Sequence, residues 1–385
     1  MRYIDEFRDG GLARELATAI TAEVREDRNY RLMEFCGGHT HAISRYGLRD
    51  LVPDNIQFIH GPGCPVCVLP VGRIDSAIEL ARDHGVILCS YGDTLRVPAS
   101  ERMSLLRAKA DGADIRMVYS STDALQVARD NPGREVVFFA IGFETTTPPT
   151  AVALHMAQAE RLDNFSVFCN HVLTPAAMEA IMTAPEAADG RQVALDGFIG
   201  PSHVSTVIGS QPYEKVAQDF RKPIVISGFE PLDVLQSVLM LVRLVNQDAW
   251  GVENQFTRAV TREGNRKAQE VVAKALELRD AFEWRGLGQV PHSALRIREE
   301  FAAFDAERKF ELPYRSVPDH KACECADILR GVKAPQECKV FGTACTPDNP
   351  LGSCMVSAEG ACAAHYTYGR FEIQRTAPRV AAAEA

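Results

Sequence analysis

The sequence predicts an α/β protein of two Rossmann-like lobes on mostly parallel sheets, followed by a small C-terminal domain held by cysteines. Three observations predict it. Between about residues 55 and 250, short apolar runs rich in β-branched and aromatic residues alternate with helix-like stretches, as in βα units on a parallel sheet. Strand-end motifs recur, Gly142-Phe-Glu144 with Gly228-Phe-Glu230 and Gly61-Pro62 with Gly200-Pro201, which suggests two related lobes. Six of the 11 cysteines fall between Cys323 and Cys362, where strand signals fade and Gly and Pro are frequent.

Taken in order, residues 1–30 form an N-terminal helical segment. Strands are expected at residues 55–60, 86–90, 115–119, 136–141, 165–170, 195–199 and 223–227, each short, apolar and of the kind buried on both faces. Helical patterns follow, as at residues 150–162 and 232–246. Thr147-Pro148 and Thr174-Pro175 read as an N-cap threonine with proline at the first helical position. Beyond Trp250 come two charged helical patterns, residues 265–284 and 293–310, parted by the loop Gly286-Leu-Gly-Gln-Val-Pro291. The last residues, 377–385, read as a frayed tail. The expected division is a first lobe over residues 31–145, a second over 146–285, and a helical linker with the cysteine domain over 286–385.

A chain of 385 residues exceeds what one core usually fills, and 46% hydrophobic content suffices to pack two or three. A formal charge of -9 offers no attraction to nucleic acid or an anionic membrane. The start, Met-Arg-Tyr-Ile-Asp-Glu-Phe-Arg, carries acids where a signal peptide needs a basic head, and no run approaches ~18 apolar residues. A cytoplasmic protein is expected. In a reducing compartment its cysteines serve as ligands, redox thiols or packing groups rather than disulfides.

The C-terminal set is Cys323, Cys325, Cys338, Cys345, Cys354 and Cys362. Zinc modules favour paired Cys-x-x-Cys knuckles, whereas these gaps are wide and unequal. A 4Fe-4S cluster, whose ligands can come from scattered loops, fits better. Cys323, Cys338, Cys345 and Cys362 are the favoured ligands, with Cys325 and Cys354 as alternatives or as thiols standing behind them. The Cys-x-x-x-Cys-x-x-Cys spacing of radical enzymes is absent, so the cluster reads as an electron carrier.

Near the N-terminus, Cys64-Pro-Val-Cys67 directly follows a strand, a context in which such a pair cycles between dithiol and disulfide and carries two electrons. A zinc half-site is the competing reading. Cys36 is followed by two glycines expected to let the backbone turn and bring Cys36, His39 and His41 toward one point, as a thiolate ligand or nucleophile requires. The loop Gly142-Phe-Glu-Thr-Thr-Thr147 lies at another strand end, where ligands of open α/β sheets collect. Buried Glu144 would need a thiol, a histidine or a ligand facing it. His203, in Pro201-Ser-His-Val-Ser205, is a further candidate for the same cleft, while Cys89 and Cys169 read as packed core thiols.

Cys36-Gly-Gly-His-Thr-His41, Gly61-Pro-Gly-Cys-Pro-Val-Cys67, Gly142-Phe-Glu-Thr-Thr-Thr-Pro148, Pro201-Ser-His-Val-Ser205 and the C-terminal array together closely resemble the HypD family of nickel-iron hydrogenase maturation proteins, over about residues 30–368. The resemblance implies two α/β lobes and a 4Fe-4S domain. It implies a scaffold that, with the chaperone HypC, carries an iron while it gains two cyanides and one carbon monoxide, the Fe(CN)2CO centre, with HypE delivering cyanide from a thiocyanate that HypF helps make. By position, Cys36 would hold the iron together with a HypC cysteine. Cys64 and Cys67 would be the redox pair or further iron thiols, and His39 and Glu144 would line the pocket. The chain by itself is expected to be monomeric. The rival readings are a stand-alone thiol-disulfide oxidoreductase fed by an iron-sulfur cluster, which would not need Cys36, and a hydro-lyase with an open cluster iron.

Overall fold

Nine strands in a computed structural model, which describes residues 5–184 and 193–369, make two fully parallel sheets. They are β1 (Tyr30–Glu34), β2 (Ile56–His60), β3 (Ile87–Ser90), β4 (Ile115–Met117), β5 (Val136–Gly142), β6 (Phe165–His171), β7 (Gly197–Pro201), β8 (Ile224–Ser227) and β9 (Val252–Asn254). One sheet has the order β2-β1-β7-β8-β9 and the other β4-β3-β5-β6. Every residue of β5 and β6 is buried, as expected when helices cover both faces of a parallel sheet. The helices Thr147–Glu160 and Pro231–Asn246 are among those that supply the cover. Both sheets reverse their strand order once, between β1 and β7 in the first and between β3 and β5 in the second, and such switch points open a crevice at the strands' carboxyl ends.

The seven expected strands are present with ends shifted by up to two residues. Strands β1 and β9 were not expected, because Arg31 and Glu34 interrupt the apolar run of β1 and β9 is only three residues long. The sheets also do not divide at residue 145. Strands β5 and β6 lie on either side of that point yet pair from Val136↔Phe165 to Gly142↔His171, while β1 pairs with β7 through Met33↔Phe198. One sheet is therefore an insertion within the other.

Two further expectations are corrected. The charged patterns after Trp250 are helical only in parts, at Glu299–Phe304, at Ala306–Lys309 and, earlier in the chain, at Arg266–Ala275. The chain then forms β10 (Leu276–Leu278), β11 (Ala281–Trp284), β12 (Gly288–Pro291) and β13 (Leu295–Ile297), paired antiparallel as β10-β13 and β11-β12. Leu276, Phe282, Trp284, Val290, Leu295 and Ile297 are all buried, so an alternating pattern hid among the charges. Second, the helices begin at Thr147 and Thr174 themselves, with Thr146 and Leu173 at the N-cap positions and each proline one place further in. The two threonine hydroxyls are spent elsewhere, both on Glu144: Thr147 Oγ1 donates to its carbonyl at 2.8 Å and Thr174 Oγ1 to its carboxylate at 2.9 Å.

The cysteine-rich region, from about residue 321, consists of short turns and small helices such as Cys325–Leu329 and Ala361–Tyr368. It has no core of its own. Cys325, Ile328, Cys345, Cys354 and Met355 pack in one cluster with Met33, Phe35, Cys64 and Cys67 of the first sheet's edge. The expected frayed tail, residues 377–385, lies outside the described residues. Among the described residues no helix is long and apolar enough to cross a membrane.

Candidate metal and thiol centre

Four loops at the carboxyl ends of β1, β2, β7 and β8 converge at the first sheet's switch point, and each carries a motif residue. Cys36 follows β1 and is the N-cap of helix Gly37–Arg45, its sulfur accepting the Gly38 amide at 3.3 Å. His203 follows β7 and brings Nδ1 to 3.4 Å from Cys36 Sγ. Phe229, after β8, supports both histidines of the site, with ring centroids 4.7 Å from His39 and 5.2 Å from His203. The Gly61-Pro-Gly63 loop after β2 runs so close that a Cβ on Gly63 would lie 2.4 Å from the Cys36 nitrogen.

The two glycines after Cys36 have a different role from the expected turn. They sit in the helix's first turn, where a Cβ on Gly37 would meet Glu359 Cβ at 2.2 Å and one on Gly38 the Phe229 ring at 2.8 Å. Close approach, and not backbone freedom, demands glycine there. His39 and His41 accordingly do not converge on Cys36: His39 Nε2 donates to the carbonyls of Ser227 and Gly228 at 3.0 and 3.1 Å, and His41 packs edge-on against Tyr368. Burial lowers His39 and His203 to about 4, so both are neutral near pH 7. With Nε2 protonated, His39 holds a lone pair on Nδ1 that is buried without a partner among the described residues.

Beneath Cys36 lies Glu34, fully buried and satisfied by donors. His60 Nδ1 donates to it at 2.7 Å, the Cys36 amide at 3.2 Å, and Thr40 Oγ1 makes a third contact. Burial first, then the nearby Glu359 carboxylate, holds the Cys36 thiol well above its ordinary value. A protonated thiol facing a neutral imidazole loses its proton readily only when a cation arrives. Two donors 3.4 Å apart match the span of neighbouring ligands on one metal with bonds of ~2.0 to 2.3 Å.

Glu144 sits at the end of β5 on the second sheet, buried as expected, but its partners differ from those foreseen. The Thr174 amide and hydroxyl donate to its two oxygens at 2.8 and 2.9 Å. Burial still dominates and raises its carboxyl to about 7. Cys89 and Cys169 are fully buried core thiols, as read from the sequence.

Cys64 is the N-cap of the short helix Pro65–Val68 and Cys67 lies within it, the Cys67 amide donating to Cys64 Sγ at 3.3 Å. Both are buried under the C-terminal region, where Ser353 Oγ donates to the Cys67 carbonyl at 2.9 Å. The Cys67 thiol lies near enough to those of Cys64 and Cys354 to shift with them, as Cys325 does with Cys354 and Cys323, so five thiols neighbour one another from the N-terminal pair to the C-terminal set. Hydrogen bonds from Cys325 and Cys67 pull Cys354 below its ordinary value, whereas burial pushes Cys67 well above.

The four favoured ligands, Cys323, Cys338, Cys345 and Cys362, line one small pocket together with Cys325. Cys354 stands behind it, between Cys325 and Cys67. Gly352 forms part of the wall, and a Cβ there would meet the sulfurs of Cys323 and Cys325 at 2.3 and 2.6 Å. The neighbouring Cys325 thiol and then burial push Cys323 up, and burial first pushes Cys362 up, the environment that a cationic iron-sulfur core reverses by taking the thiolates as ligands. The all-sulfur donor set therefore fits a four-cysteine cluster. Among the described residues no three His, Cys, Asp or Glu are grouped as a single metal ion needs.

Sequence reasoning missed Glu34, Phe229 and Ser353. Glu34 ends a strand that its own charge concealed, and the other two gain meaning only through contacts nearly 200 residues or more away in the chain.

The chain is similar over nearly its whole length to known proteins. A family model, HypD, described as "Hydrogenase formation hypA family", matches residues 11–369. The hydrogenase maturation factor HypD of Cupriavidus necator is 64% identical over 372 residues, covering 97% of this chain and 98% of that protein. The one from Azotobacter vinelandii is 66% identical over 370 residues, 96% and 97% of the two chains. That of Escherichia coli is 44% identical over 381 residues, 97% and 99%.

Proposed function

The chain belongs to the HypD family of hydrogenase maturation factors, and we propose that within it the chain is the scaffold on which the Fe(CN)2CO centre of nickel-iron hydrogenases is assembled. The observation that carries this reading is the placement of Cys36 Sγ 3.4 Å from His203 Nδ1 at a sheet switch point. Cys36, as thiolate, is the soft anchor that an iron taking strong-field anionic ligands needs, and a cysteine of HypC shares the metal. Neutral His203 stands ready as a nitrogen donor. His39, locked by two carbonyls, holds the Phe229 side of the crevice, and Glu144 is a lining residue in this reading.

Delivery of cyanide from the HypE thiocyanate is a two-electron step. The sulfur-carbon bond breaks, the carrier sulfur leaves as thiolate, cyanide goes to iron, and Cys64 with Cys67 supplies both electrons by closing a disulfide and releasing two protons. In this reading Cys354, a neighbour of Cys67 and Cys325, attacks that disulfide as thiolate; the Cys67-Cys354 bond forms as the Cys64-Cys67 bond breaks, Cys64 leaves as thiolate, and two electrons with two protons then reduce the new disulfide. A cluster held by Cys323, Cys338, Cys345 and Cys362 supplies electrons singly. The partners in this reading are HypC and HypE, the location is the cytoplasm, and the free chain is a monomer.

Infrared spectra of the anaerobically isolated protein with its chaperone provide the test. Cyanide and carbonyl stretches that disappear in Cys36→Ala are expected, while Cys64→Ser and Cys67→Ser bind iron but build no full ligand set. Stretches that persist in Cys36→Ala would sink the scaffold reading and leave a thiol oxidoreductase.

A further inference from the structure

A groove of about 1190 Å³ lies against the outer wall of the cysteine region, away from Cys36. Val340 borders both the groove and the cysteine pocket. Three other wall residues, Ala322, Ala344 and Leu351, line the groove one position before Cys323, Cys345 and Gly352. Leu351 also donates its amide to Cys345 Sγ at 3.4 Å. Cys323, moreover, is the one cysteine of the chain that is not buried. The groove is thus the side on which the thiols stand nearest to solvent.

Its lining has the opposite sign to the chain as a whole. In a chain of net charge -9, the lining includes Arg96, Arg102, Arg107, Arg285 and Lys321 against Glu101, Asp319 and Asp348. Arg285 is 95% buried, pairs with Asp319 through Nη1 at 2.6 Å, and keeps Nη2 without a partner among the described residues. Leu106, 49% exposed, supplies an apolar contact between the exposed arginines. Glu101 and Arg102 on the rim both take left-handed backbone, φ 54° and 59°, which for non-glycine residues costs free energy and recurs where a surface is shaped for use.

We propose that this groove docks a small acidic electron-carrier protein that reduces the cysteine-held cluster, an inference that rests on the cluster assignment above. Each docking passes one electron. The carrier is oxidised by one, the cluster is reduced by one, and no bond is made or broken; two dockings supply what one Cys64-Cys67 disulfide needs. A basic rim around a modest apolar floor suits a brief encounter steered by charge, in which rate rather than tight binding is selected.

The test uses the full chain with its cluster reconstituted anaerobically, and reduced plant-type ferredoxin as the acidic probe. Stopped-flow reduction of the cluster should slow steeply with ionic strength, and the Arg102→Glu/Arg107→Glu pair should lower the rate by about tenfold or more. Reduction by methyl viologen radical, a small cation, should not slow in the same variant. Equal ferredoxin rates in variant and wild type would overturn the docking site while leaving the cluster intact. A slowing shared by methyl viologen would mean damage to the cluster itself and would also overturn the proposal. Failure of the wild-type chain to form any cluster would bring down the assignment and the docking site together.

Discussion

Glu144 shows how a single buried carboxyl can write a pH signature onto the whole chain. Its folded value of about 7 stands above the ordinary 4.5 because burial outweighs the Thr174 donors. The folded state therefore binds this proton more tightly than the unfolded state. At acid pH, below both values, the group carries no penalty. As pH rises from about 4.5 through about 7 stability falls, by roughly 3 kcal/mol once ionisation is complete. Glu144→Gln removes the penalty while keeping an acceptor for the Thr174 amide. Melting curves of the metal-free protein should show the variant gaining on wild type between pH 5 and pH 8, by several degrees at the upper end. A constant difference across that range would refute the buried-acid account.

At the scale of elements, the glycine after β2 decides whether two loops can meet. Gly63→Ala would press a Cβ onto backbone atoms of Cys36 and Phe35, which cannot swing aside as a side-chain end could. A loss of about 1 to 3 kcal/mol in urea denaturation is expected, with Gly133→Ala, which meets nothing within 4 Å, unchanged or slightly stabilised. The elements that were readable from the sequence share one property: their signal is local. Seven strands announce themselves through runs such as Val136-Val-Phe-Phe-Ala-Ile141, and the motif residues Cys64, Cys67 and Glu144 stand at the ends of two of them. Strand β1 was hidden because Glu34 is a charge that only His60, Thr40 and the Cys36 amide make tolerable inside a protein. The hairpins β10 to β13 were hidden because their outward charged residues imitate a helical surface. Pairing of Cys36 with His203 was weakly visible, since a histidine at a strand end says nothing of which strand lies beside it.

At the scale of the whole molecule, the C-terminal region covers the thiols of Cys64 and Cys67. Ser353 joins Cys67 from 286 residues away, and Cys67 is fully buried beneath it. Ser353→Ala removes one hydrogen bond, worth about 1 kcal/mol, which enlarges the transiently open population about fivefold. Alkylation of Cys67 in the metal-free protein, followed by mass spectrometry, should accelerate by that factor, while Cys169 in the second sheet's core reacts as before. An unchanged Cys67 rate would show that the cover is held by other contacts.

The insertion of one sheet within the other also sets a schedule for synthesis. Strands β3 to β6 are contiguous and can pair as soon as they emerge, but β1 must wait for β7 before its inner edge is filled. Cys36 and His203 are 167 residues apart, a gap of roughly ten to thirty seconds at ribosomal speed. Over that interval a nascent chain displays Cys36, Cys64 and Cys67 with neither the histidine nor the C-terminal cover in place. A chain arrested early holds exposed thiols, and its Cys36 still lacks the His203 ring that stands beside it in the finished fold.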